Sequence, residues 1–501
     1  MIFGIKIINT RQTVQCLSAI VLLFLYPNIL LSQSSQWLYT VEAQTVFTTH
    51  NNVPFWFRSN QYGNVPLSGV SGGLIGSVYK NADTSKKHFI NWSAGIQARV
   101  NIGNASQISL IEGYLKGKKG IFQIEGGRFN QISGLIDSSL SSGAFSISGN
   151  ALSIPQIRIE IPDYYSLPFF NKLFAFKVSY SAGYIGEVPI RTLDNVLFTG
   201  NSTGYYEHNE AYLRLGKPNW KLKLTGGINH HVMFANERNI FGSFYTLSPL
   251  QTFIYAGIGK TYKSDSKVGN QIGSIDISLL YEFNNIRLLA YRQNLYDVGA
   301  IAHLANIDDG INGLSLTNKH FNNKENNWHK IVFELVYTKN QAGYFISKAT
   351  KSGDEDYYNN GEYADGWSYL GEALGNPFIT SRKYARTNLP NDSTDYFVNN
   401  RVNAFHIAID GIYRKINYLI KLSYSKNYGT FGTSPEGHSG GNLFYPPQYG
   451  FFGEINQFSG YVEANKNLKE DLMAGVGIAV DNGRLLYNSF GMVFKVKKTF
   501  K

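Results

Sequence analysis

The densest group of side chains suited to holding a sugar lies between positions 353 and 369. Sugar binding needs aromatic faces that stack on C–H surfaces and planar polar groups that hydrogen-bond to hydroxyls. The segment is therefore predicted to be a polysaccharide-binding loop, although a solvated, self-packed loop with interfacial aromatic residues would have the same composition. The predicted ligand-binding residues in it are Asp354, Asp356, Tyr357, Tyr358, Trp367 and Tyr369.

Two arginines elsewhere in the chain could bind an acidic ligand. The forked guanidinium groups of Arg58 and Arg128 match the geometry of carboxylates and phosphates. Both residues are therefore included in the predicted polysaccharide site, where they would contact acidic sugars or lipid phosphates. The alternative is that each arginine pairs with a carboxylate inside the protein.

Two further groups of residues have side chains that bind metals. Asp308 and Asp309 with Asn306 offer oxygen ligands for Ca²⁺, but their spacing is not that of an EF-hand loop and fits a polar turn equally. His230 and His231 are adjacent, so on a strand they face opposite ways and cannot chelate one metal ion together. The sequence therefore predicts neither a metal site nor a cofactor.

No catalytic motif is present in the sequence. The chain contains no GxSxG, HExxH or phosphate-binding P-loop pattern, and its single cysteine is Cys16. The formal net charge of +11 is spread along the chain without a basic run, which argues against nucleic-acid binding. We expect a protein that is not an enzyme, with a barrel enzyme acting on lipid or glycan as the alternative.

The first 32 residues have the organisation of a secretory signal peptide. Lys6 and Arg11 are followed by an apolar stretch at 16–31 and by the small residue Ser32. Cleavage there would lower the formal net charge from +11 to +9, and residues 33–501 would form the exported protein. A transmembrane anchor is the alternative interpretation of this segment.

The rest of the chain alternates between apolar and polar residues over unusually long stretches. Apolar side chains occupy every second position from Ile90 to Ile102, which is longer than a typical soluble strand and long enough to cross an outer membrane. Only 16% of residues are charged, while 50 are glycine and 67 are tyrosine or phenylalanine, which excludes a disordered chain or a coiled coil. The same alternation recurs at 220–229, 274–283, 330–338, 405–413, 418–425 and 472–480.

These strands predict an all-β fold, a single closed antiparallel transmembrane barrel of about 16–18 strands. The aromatic Phe500 beside the last residue is typical of the final strand of such a barrel. Long stretches at 296–328, 348–400 and 426–458 are predicted to be extracellular loops, and 130–170 is predicted to enter the lumen or line its mouth. Asn284 and Asn482 mark tight turns that we expect on the periplasmic side. A soluble β-sandwich is the alternative fold.

Six short stretches follow one another in a characteristic order. They are NVPFWFRSNQYG at 52–63, GRF at 127–129, LSSG at 140–143, SISGNA at 146–151, Ile154-Pro155, and GNQIG at 269–273 followed by Asp276. In this order they resemble the Wzi-type outer-membrane capsule-assembly family. The resemblance covers about 50–300 and implies an outer-membrane protein that binds surface polysaccharide, has a lumen blocked by loops and resembles a lectin more than a channel. It assigns no sugar-contacting residue.

Together these observations predict a monomeric outer-membrane barrel that binds polysaccharide and takes part in capsule assembly or in attaching capsular polysaccharide to the cell. Its expected partners are capsular or other surface polysaccharide, outer-membrane lipids and lipopolysaccharide, but no nucleic acid. A porin or selective channel is the alternative function.

Overall fold

The computed structural model describes residues 37–83, 90–192, 195–262, 266–297, 299–322, 326–343, 354–440 and 443–500. The predicted signal peptide at 1–32, and its boundary with the barrel at position 33, lie outside the described residues.

Eighteen strands form one antiparallel sheet that closes on itself. Each strand pairs with its neighbours along the chain, and the first strand also pairs with the last. The predicted all-β fold and the upper limit of the predicted strand number are confirmed. The strands are β1 Trp37–Thr48, β2 Val70–Lys80, β3 Asn91–Ile102, β4 Gln107–Lys119, β5 Phe122–Arg128, β6 Gln156–Ser166, β7 Phe174–Thr192, β8 Asn195–Leu215, β9 Leu222–Phe234, β10 Asn270–Glu282, β11 Ile286–Tyr296, β12 Gly310–Asn318, β13 Asn327–Tyr337, β14 Val402–Tyr413, β15 Ile416–Asn427, β16 Ile455–Lys469, β17 Leu472–Gly483 and β18 Ser489–Phe500.

The pairing of β1 with β18 closes the barrel. Its register runs from Tyr39 opposite Phe500 to Thr48 opposite Gly491. Closure gives both edges of the sheet a partner, which removes the exposed backbone groups that an open edge would present to lipid. The predicted terminal strand with its aromatic end is therefore the strand that completes the ring.

The two faces of the sheet differ as the alternation predicts. On β3, Trp92 and Ile96 are exposed on the outside, whereas Arg99 and Asn101 are buried on the inside. The outside carries an apolar belt, and the buried inner positions of the wall include charged residues such as Glu125, Glu210, Asp276 and Glu334. The belt includes Leu115, Ile124, Ile157, Leu213, Leu222, Ile277, Phe333, Leu335, Leu422, Val462, Ile478 and Val496.

Exposed aromatic residues border the apolar belt at both ends of the strands. One group lies at the end of the barrel where the first strand begins and the last strand ends. The other group lies at the opposite end of the barrel. Such aromatic girdles mark the two interfaces of a membrane. The first group includes Trp37, Trp92, Phe122, Trp220, Tyr413 and Phe500, and the second includes Phe47, Tyr184, Tyr205, Phe405, Tyr424 and Phe490.

The connections at the two ends of the barrel differ in length. The end that holds Trp37 and Phe500, here called the turn end, has short connections such as 120–121, 283–285 and 414–415. The opposite end, here called the loop end, carries the long connections 49–69, 129–155, 235–269, 338–401 and 428–454.

Two of the predicted long loops, 348–400 and 426–458, correspond to loop-end connections. The prediction of one loop at 296–328 is wrong, because β12 at Gly310–Asn318 lies within that stretch. The turn at Asn284 lies at the turn end, but Asn482 is at the loop end, on the opposite side from the one predicted.

Helices are few and short. The α-helices are α1 Phe55–Arg58, α2 Arg238–Phe241 and α3 Pro249–Gly257, and among the described residues no helix is long and apolar enough to cross a membrane. Pro249 and a capping box formed by Ser248 and Gln251 fix the start of α3. Short 3₁₀ turns lie at Phe170–Lys172, Gly242–Phe244, Ala300–His303 and Phe431–Thr433, and short strand pairs join Thr261–Tyr262 to Ser266–Lys267, Ser368–Tyr369 to Glu372–Ala373, Thr380–Ser381 to Phe397–Asn399 and His438–Gly440 to Leu443–Tyr445.

Candidate functional site

Three loop-end segments fold into the lumen and fill it. They are 49–69, 129–155 and 354–401, here called the plug. Their apolar side chains form one buried cluster with inward-facing residues of the wall, so the lumen has a hydrophobic core at this level. The prediction that the serine- and proline-rich segment enters the lumen is confirmed for 129–155, whereas 156–166 is strand β6. The plug residues of the cluster include Phe55, Trp56, Phe145, Tyr358, Trp367, Phe378 and Phe397.

Buried carboxylates on the barrel wall hold the backbone of the plug. Asp276 accepts a hydrogen bond from the backbone N–H of Leu135 at 2.9 Å, and Glu334 accepts one from Ser142 at 2.5 Å. Hydrogen bonds to a carboxylate are stronger than those between neutral groups. The plug is thus fixed to the wall through its main chain.

A third carboxylate, Asp481 on β17, fixes the helix α1 of the plug. One of its oxygens accepts from the backbone N–H of Phe55, the first residue of α1, at 2.8 Å. The other accepts from the Ser459 hydroxyl at 2.6 Å. The short helix α1, which carries the buried side chains of Phe55 and Trp56, is therefore held against the wall at its first residue.

The segments of the plug are also bonded to one another. The Trp367 indole donates to the Ser146 carbonyl at 2.7 Å, and the Asn376 amide donates to the Gly143 carbonyl at 2.6 Å. The Asn60 amide donates to the Ser142 carbonyl at 2.7 Å. The stretches that carry the family resemblance, 52–63 and 140–151, thus lie against each other in the lumen.

The structure places the aromatic residues predicted to bind sugar inside the plug. Trp367 is 0% exposed and Tyr358 is 1% exposed, and Tyr357 and Tyr369 are also buried. The Tyr358 hydroxyl donates to the Phe145 carbonyl and accepts from the backbone N–H of Asn376. These rings present no face to solvent on which a sugar could stack. Asp354 and Asp356 are half-buried, and their role in ligand binding stays a prediction.

The two predicted arginines contact aromatic rings and carbonyls. The buried guanidinium of Arg58 lies 3.6 Å from the centre of the Tyr384 ring. Arg128 donates to the Leu110 carbonyl at 2.9 Å and to the Tyr369 hydroxyl at 3.2 Å. Arg58 therefore serves packing within the plug, and Arg128 joins the plug to the wall. Contact of either residue with an acidic sugar stays a prediction.

The group around Asp309 is satisfied by donors of the protein itself. Asp309 accepts from the backbone N–H groups of Asn340 and Gln341 at 2.9 and 2.7 Å, and from the Tyr357 hydroxyl at 2.8 Å. The Asn306 amide donates to Glu355 at 3.0 Å. This is the polar-turn arrangement, and no cluster of metal-binding side chains occurs in the part of the chain that the structure describes.

The adjacent histidines face opposite sides of the wall. His231 points into the lumen and stacks on His208, with ring centres 4.1 Å apart. His230 lies on the outside, where its ring nitrogens approach the Tyr296 hydroxyl at 2.9 Å and the Ala256 carbonyl at 3.4 Å. The two side chains do not converge on one ligand.

Two aspartates of the plug share a half-buried site close to one another. Burial raises the pKa of Asp356, with smaller contributions from other nearby carboxylates. Burial also raises the pKa of Asp395, and the neighbouring Asp356 and Asp392 raise it further. The Asp356 carboxylate accepts hydrogen bonds from the amides of Asn359 and Asn400. Burial and the neighbouring carboxylates therefore favour the protonated forms of the two carboxyl groups.

The exposed aromatic residues of the loop end lie in other loops than the predicted one. Tyr449, Phe451 and Tyr487 are exposed, with Phe451 at 66%. The sequence signal is the run of aromatic residues, proline and glycine at 445–451, within the predicted loop 426–458. These residues, with Arg386 and Asp392, are here called the loop-end patch.

Contacts through 386–392 connect the members of the loop-end patch. The Tyr487 hydroxyl accepts from the backbone N–H of Thr387 at 3.3 Å, and the Arg386 guanidinium lies 5.5 Å from the centre of the Tyr487 ring. A hydrogen bond to Asp392 raises the pKa of Tyr449. The patch therefore combines exposed rings, a guanidinium and a carboxylate on one side of the loop end.

A cavity, here called the turn-end cavity, lies inside the barrel on the turn-end side of α1. Its volume is about 230 Å³, and its walls carry charges of both signs. Lys495 pairs with Glu463 at 2.7 Å within it, and Glu42 and Arg99 also line it. Trp56 and Phe57 of α1 close it toward the plug.

Comparison with solved structures places the fold among barrels of the outer membrane. No family model matches the sequence, and no match was found among curated proteins. The structure is similar to Wzi of Escherichia coli, described as an outer-membrane protein involved in group 1 capsule assembly and a carbohydrate-binding β-barrel. The two chains are 11% identical, with 92% of this chain and 84% of Wzi covered and a TM-score of 0.51. At this identity the likeness establishes the fold alone.

Two further similar structures are OccAB2 of Acinetobacter baumannii and OccK10 of Pseudomonas aeruginosa. OccAB2 is 9% identical, with 93% of this chain and 98% of that chain covered and a TM-score of 0.44. OccK10 is 10% identical, with 93% and 99% covered and a TM-score of 0.43. Neither likeness carries an argument about function.

Proposed function

We propose that this protein is an outer-membrane barrel that binds surface polysaccharide at its loop end, and that it belongs to the Wzi-type family of capsule-assembly proteins. The single observation that carries the proposal is the filled lumen. A diffusion channel needs an open path, whereas this lumen holds a bonded plug with a hydrophobic core. A static plug leaves the loop-end surface as the place where the protein meets its ligand.

The location in the outer membrane rests on the surface of the barrel. An apolar belt bordered by two aromatic girdles is the surface that a transmembrane barrel presents to lipid. Bacterial barrels have short periplasmic turns and longer extracellular loops. The turn end therefore faces the periplasm, and the loop-end patch faces the outside of the cell.

The proposed binding mechanism uses many weak contacts. The rings of Tyr449, Phe451 and Tyr487 stack on sugar C–H faces, while Arg386 and Asp392 hydrogen-bond to hydroxyls or to acidic groups. A single short stretch of sugar would bind weakly to such a patch. A long polysaccharide that contacts many copies of the protein is retained through multivalency.

The test removes two rings of the patch together. We expect the double variant Tyr449→Ala with Tyr487→Ala to retain roughly tenfold less labelled polysaccharide of the producing strain, because two stacking contacts are lost. The matched control is Tyr413→Ala with Phe283→Ala, which removes two exposed rings at the turn end. Equal retention by the two double variants would remove the patch from the site, and heat-modifiable gel migration checks that both barrels fold.

A selective channel is the second candidate function, and the turn-end cavity favours it. Its lining carries Glu42, Arg99 and Lys497 beside the ion pair of Glu463 with Lys495, and a lumen lined by charges of both signs is suited to a charged solute. Large, steady single-channel steps of the unaltered protein in planar bilayers would support this candidate. Product released from lipopolysaccharide or polysaccharide by the purified protein would instead contradict the proposal that the barrel binds without catalysis.

A further inference from the structure

The loop that carries α3 folds over the outside of the barrel. The Asn209 amide on the outer face of β8 donates to the Gly257 carbonyl at the end of α3, at 2.7 Å. Val232 and Phe234 on the outer face of β9 are buried against Ala256 of the helix. The helix therefore lies against the membrane-facing wall, close to the loop end.

The side of α3 away from the wall is apolar. Leu250, Phe253 and Ile254 are exposed, and Ile258 just after the helix is 68% exposed. Small or short side chains, Thr252 and Ala256, face the barrel. A short helix with one packed side and one exposed apolar side, on the wall of a transmembrane barrel, extends the surface that contacts lipid.

A groove of about 590 Å³ remains between the end of α3 and the outer wall. Its two halves differ in polarity along the direction of the strands. The half toward the middle of the barrel is apolar, and the half toward the loop end is polar. The register places Val178, Ala211 and Ile228 side by side in the apolar half, and His230, Gln271 and Lys267 line the polar half.

The polar half contains a buried hydrogen-bond acceptor, the side-chain oxygen of Gln271, that lacks a donor among the described residues. Gln271 is 3% exposed, and its amide nitrogen donates to the Val268 carbonyl at 2.8 Å. Its side-chain oxygen, Oε1, has no hydrogen-bond partner among the described residues. A buried polar group without a partner is costly, above all on a surface that faces hydrocarbon. An occupant with hydroxyl or amide hydrogens would satisfy it.

We propose that this groove binds one lipid of the outer leaflet, with an acyl chain in the apolar half and a phosphorylated head group in the polar half. The order of the two halves matches a lipid whose head lies at the loop end and whose tail points to the middle of the bilayer. Lys267 in the groove and the exposed Lys260 beside it supply positive charge for a phosphate. The inference goes beyond polysaccharide binding and rests only on the proposed location in the outer membrane.

The test introduces a large side chain that occupies the groove in place of the lipid. Ala211 lines the groove and is exposed on the outer face of β8, so Ala211→Trp occupies the space of the acyl chain without entering the lumen. Leu213→Trp is the matched control, because Leu213 is the next outward position of the same strand and lies outside the groove. Lys267→Gln tests the contact with the head group.

The measurement is native mass spectrometry of protein extracted in a mild detergent, followed by addition of deep-rough lipopolysaccharide or of phosphatidylglycerol. We expect the unaltered protein and Leu213→Trp to keep one bound lipid, and Ala211→Trp to keep at least fivefold less. Lys267→Gln should weaken rebinding severalfold. The probe that rebinds the unaltered protein identifies the class of lipid.

Several outcomes would overturn the inference. They are equal lipid retention by Ala211→Trp and Leu213→Trp, an unaltered protein without bound lipid, and a second copy of the chain in place of the lipid mass. Cell fractionation separates this failure from that of the proposed location. A barrel found in the outer membrane but without lipid contradicts only the groove, whereas a barrel absent from that membrane contradicts the location.

Discussion

Single carboxylates determine how the plug is held in the barrel. Three buried carboxylates each accept a hydrogen bond from a backbone N–H of the plug, and each lies at an inward position of a strand. They are those of Asp276, Glu334 and Asp481. In an ordinary channel such residues would line water. Here they substitute for water as acceptors for a main chain that has no sheet partner, which satisfies the backbone of an irregular segment in the lumen.

Asp481→Ala is expected to loosen α1. The substitution leaves the Phe55 N–H and the Ser459 hydroxyl without their acceptor, at a cost of about 2–3 kcal/mol. The temperature at which the barrel loses its heat-modifiable migration should fall by several degrees relative to the unaltered protein. Asp471→Ala at the turn end is the control, since Asp471 is solvent-exposed and an exposed ion pair such as the one with Lys498 contributes little to stability. Equal effects of the two variants would contradict the role given to Asp481.

The acidic pair of the plug predicts a dependence on pH. The folded protein raises the pKa of Asp395 above its usual 3.8, so the folded state holds its proton more tightly than the unfolded state. Stability is then greatest below that usual value and falls as the pH rises toward the raised pKa. The same sign applies to Asp356, whose pKa is also raised.

Asp395→Asn is expected to reduce this dependence, because the amide is neutral at every pH and Asp356 alone then titrates. Hydrogen exchange of the plug backbone around 392–400 should accelerate from pH 5 to pH 8 in the unaltered protein, beyond the intrinsic effect of pH, and accelerate less in the variant. Asp163→Asn, at an exposed position of the turn end, provides the control. An unaltered protein whose plug is more protected at pH 8 than at pH 5 would reverse the predicted sign.

At the scale of whole elements, most strands could be predicted, whereas of the plug only the entry of 129–155 into the lumen could be. In a strand such as β3, the alternation of apolar and polar residues separates the side chains that face lipid from those that face the lumen. The sequence alone therefore predicts both faces of the strand. The segment 353–369 has no such period. Whether Tyr358 and Trp367 face solvent depends on Phe145 and Ser146, more than 200 positions away, and nothing in the local sequence carries that pairing.

Irregularity also explains the missed strand. In β12 the outward positions Gly310 and Asn312 interrupt the apolar alternation, so the stretch has the composition of a loop although it pairs on both sides with β11 and β13. Exposed rings of the loop-end patch were missed for a related reason. The sequence shows which segments are rich in aromatic residues. It does not show which of these rings are exposed, because segments with buried rings are equally rich in them.

The docking of two plug segments on each other rests on Gly149. Its φ is +78°, and a Cβ at this position would lie 2.5 Å from the ring of Tyr62, which belongs to the segment 52–63. Gly149→Ala is therefore expected to cost about 2 kcal/mol through the strained backbone and the overlap. Limited proteolysis should cut the plug faster in this variant than in Gly361→Ala, where a Cβ meets open space. Equal cleavage rates would mean that the two segments do not depend on this contact.

At the scale of the whole molecule, strand number and plug are linked. Barrels of 16–18 strands are wide enough to leave an aqueous channel when only wall side chains occupy the interior. An 18-stranded barrel that does not conduct must therefore bring additional chain into its lumen, and the segments 49–69, 129–155 and 354–401 supply it. These segments occupy a lumen of the width that other barrels leave open.

Replacing 129–155 with a short glycine–serine linker is expected to convert the protein into a channel. The replaced segment supplies Phe145, Ile147 and the acceptors Gly143 and Ser146, so its loss opens space across the middle of the lumen and frees 354–401 from one side. In planar bilayers we expect conductance at least tenfold above that of the unaltered protein. The control replaces 248–258 in the same way, because this stretch, which carries α3, lies on the outside of the wall and leaves the lumen filled. Large steady steps from the unaltered barrel would support the channel function instead, and a silent 129–155 variant that still shows heat-modifiable migration would mean that the remaining segments close the lumen by themselves.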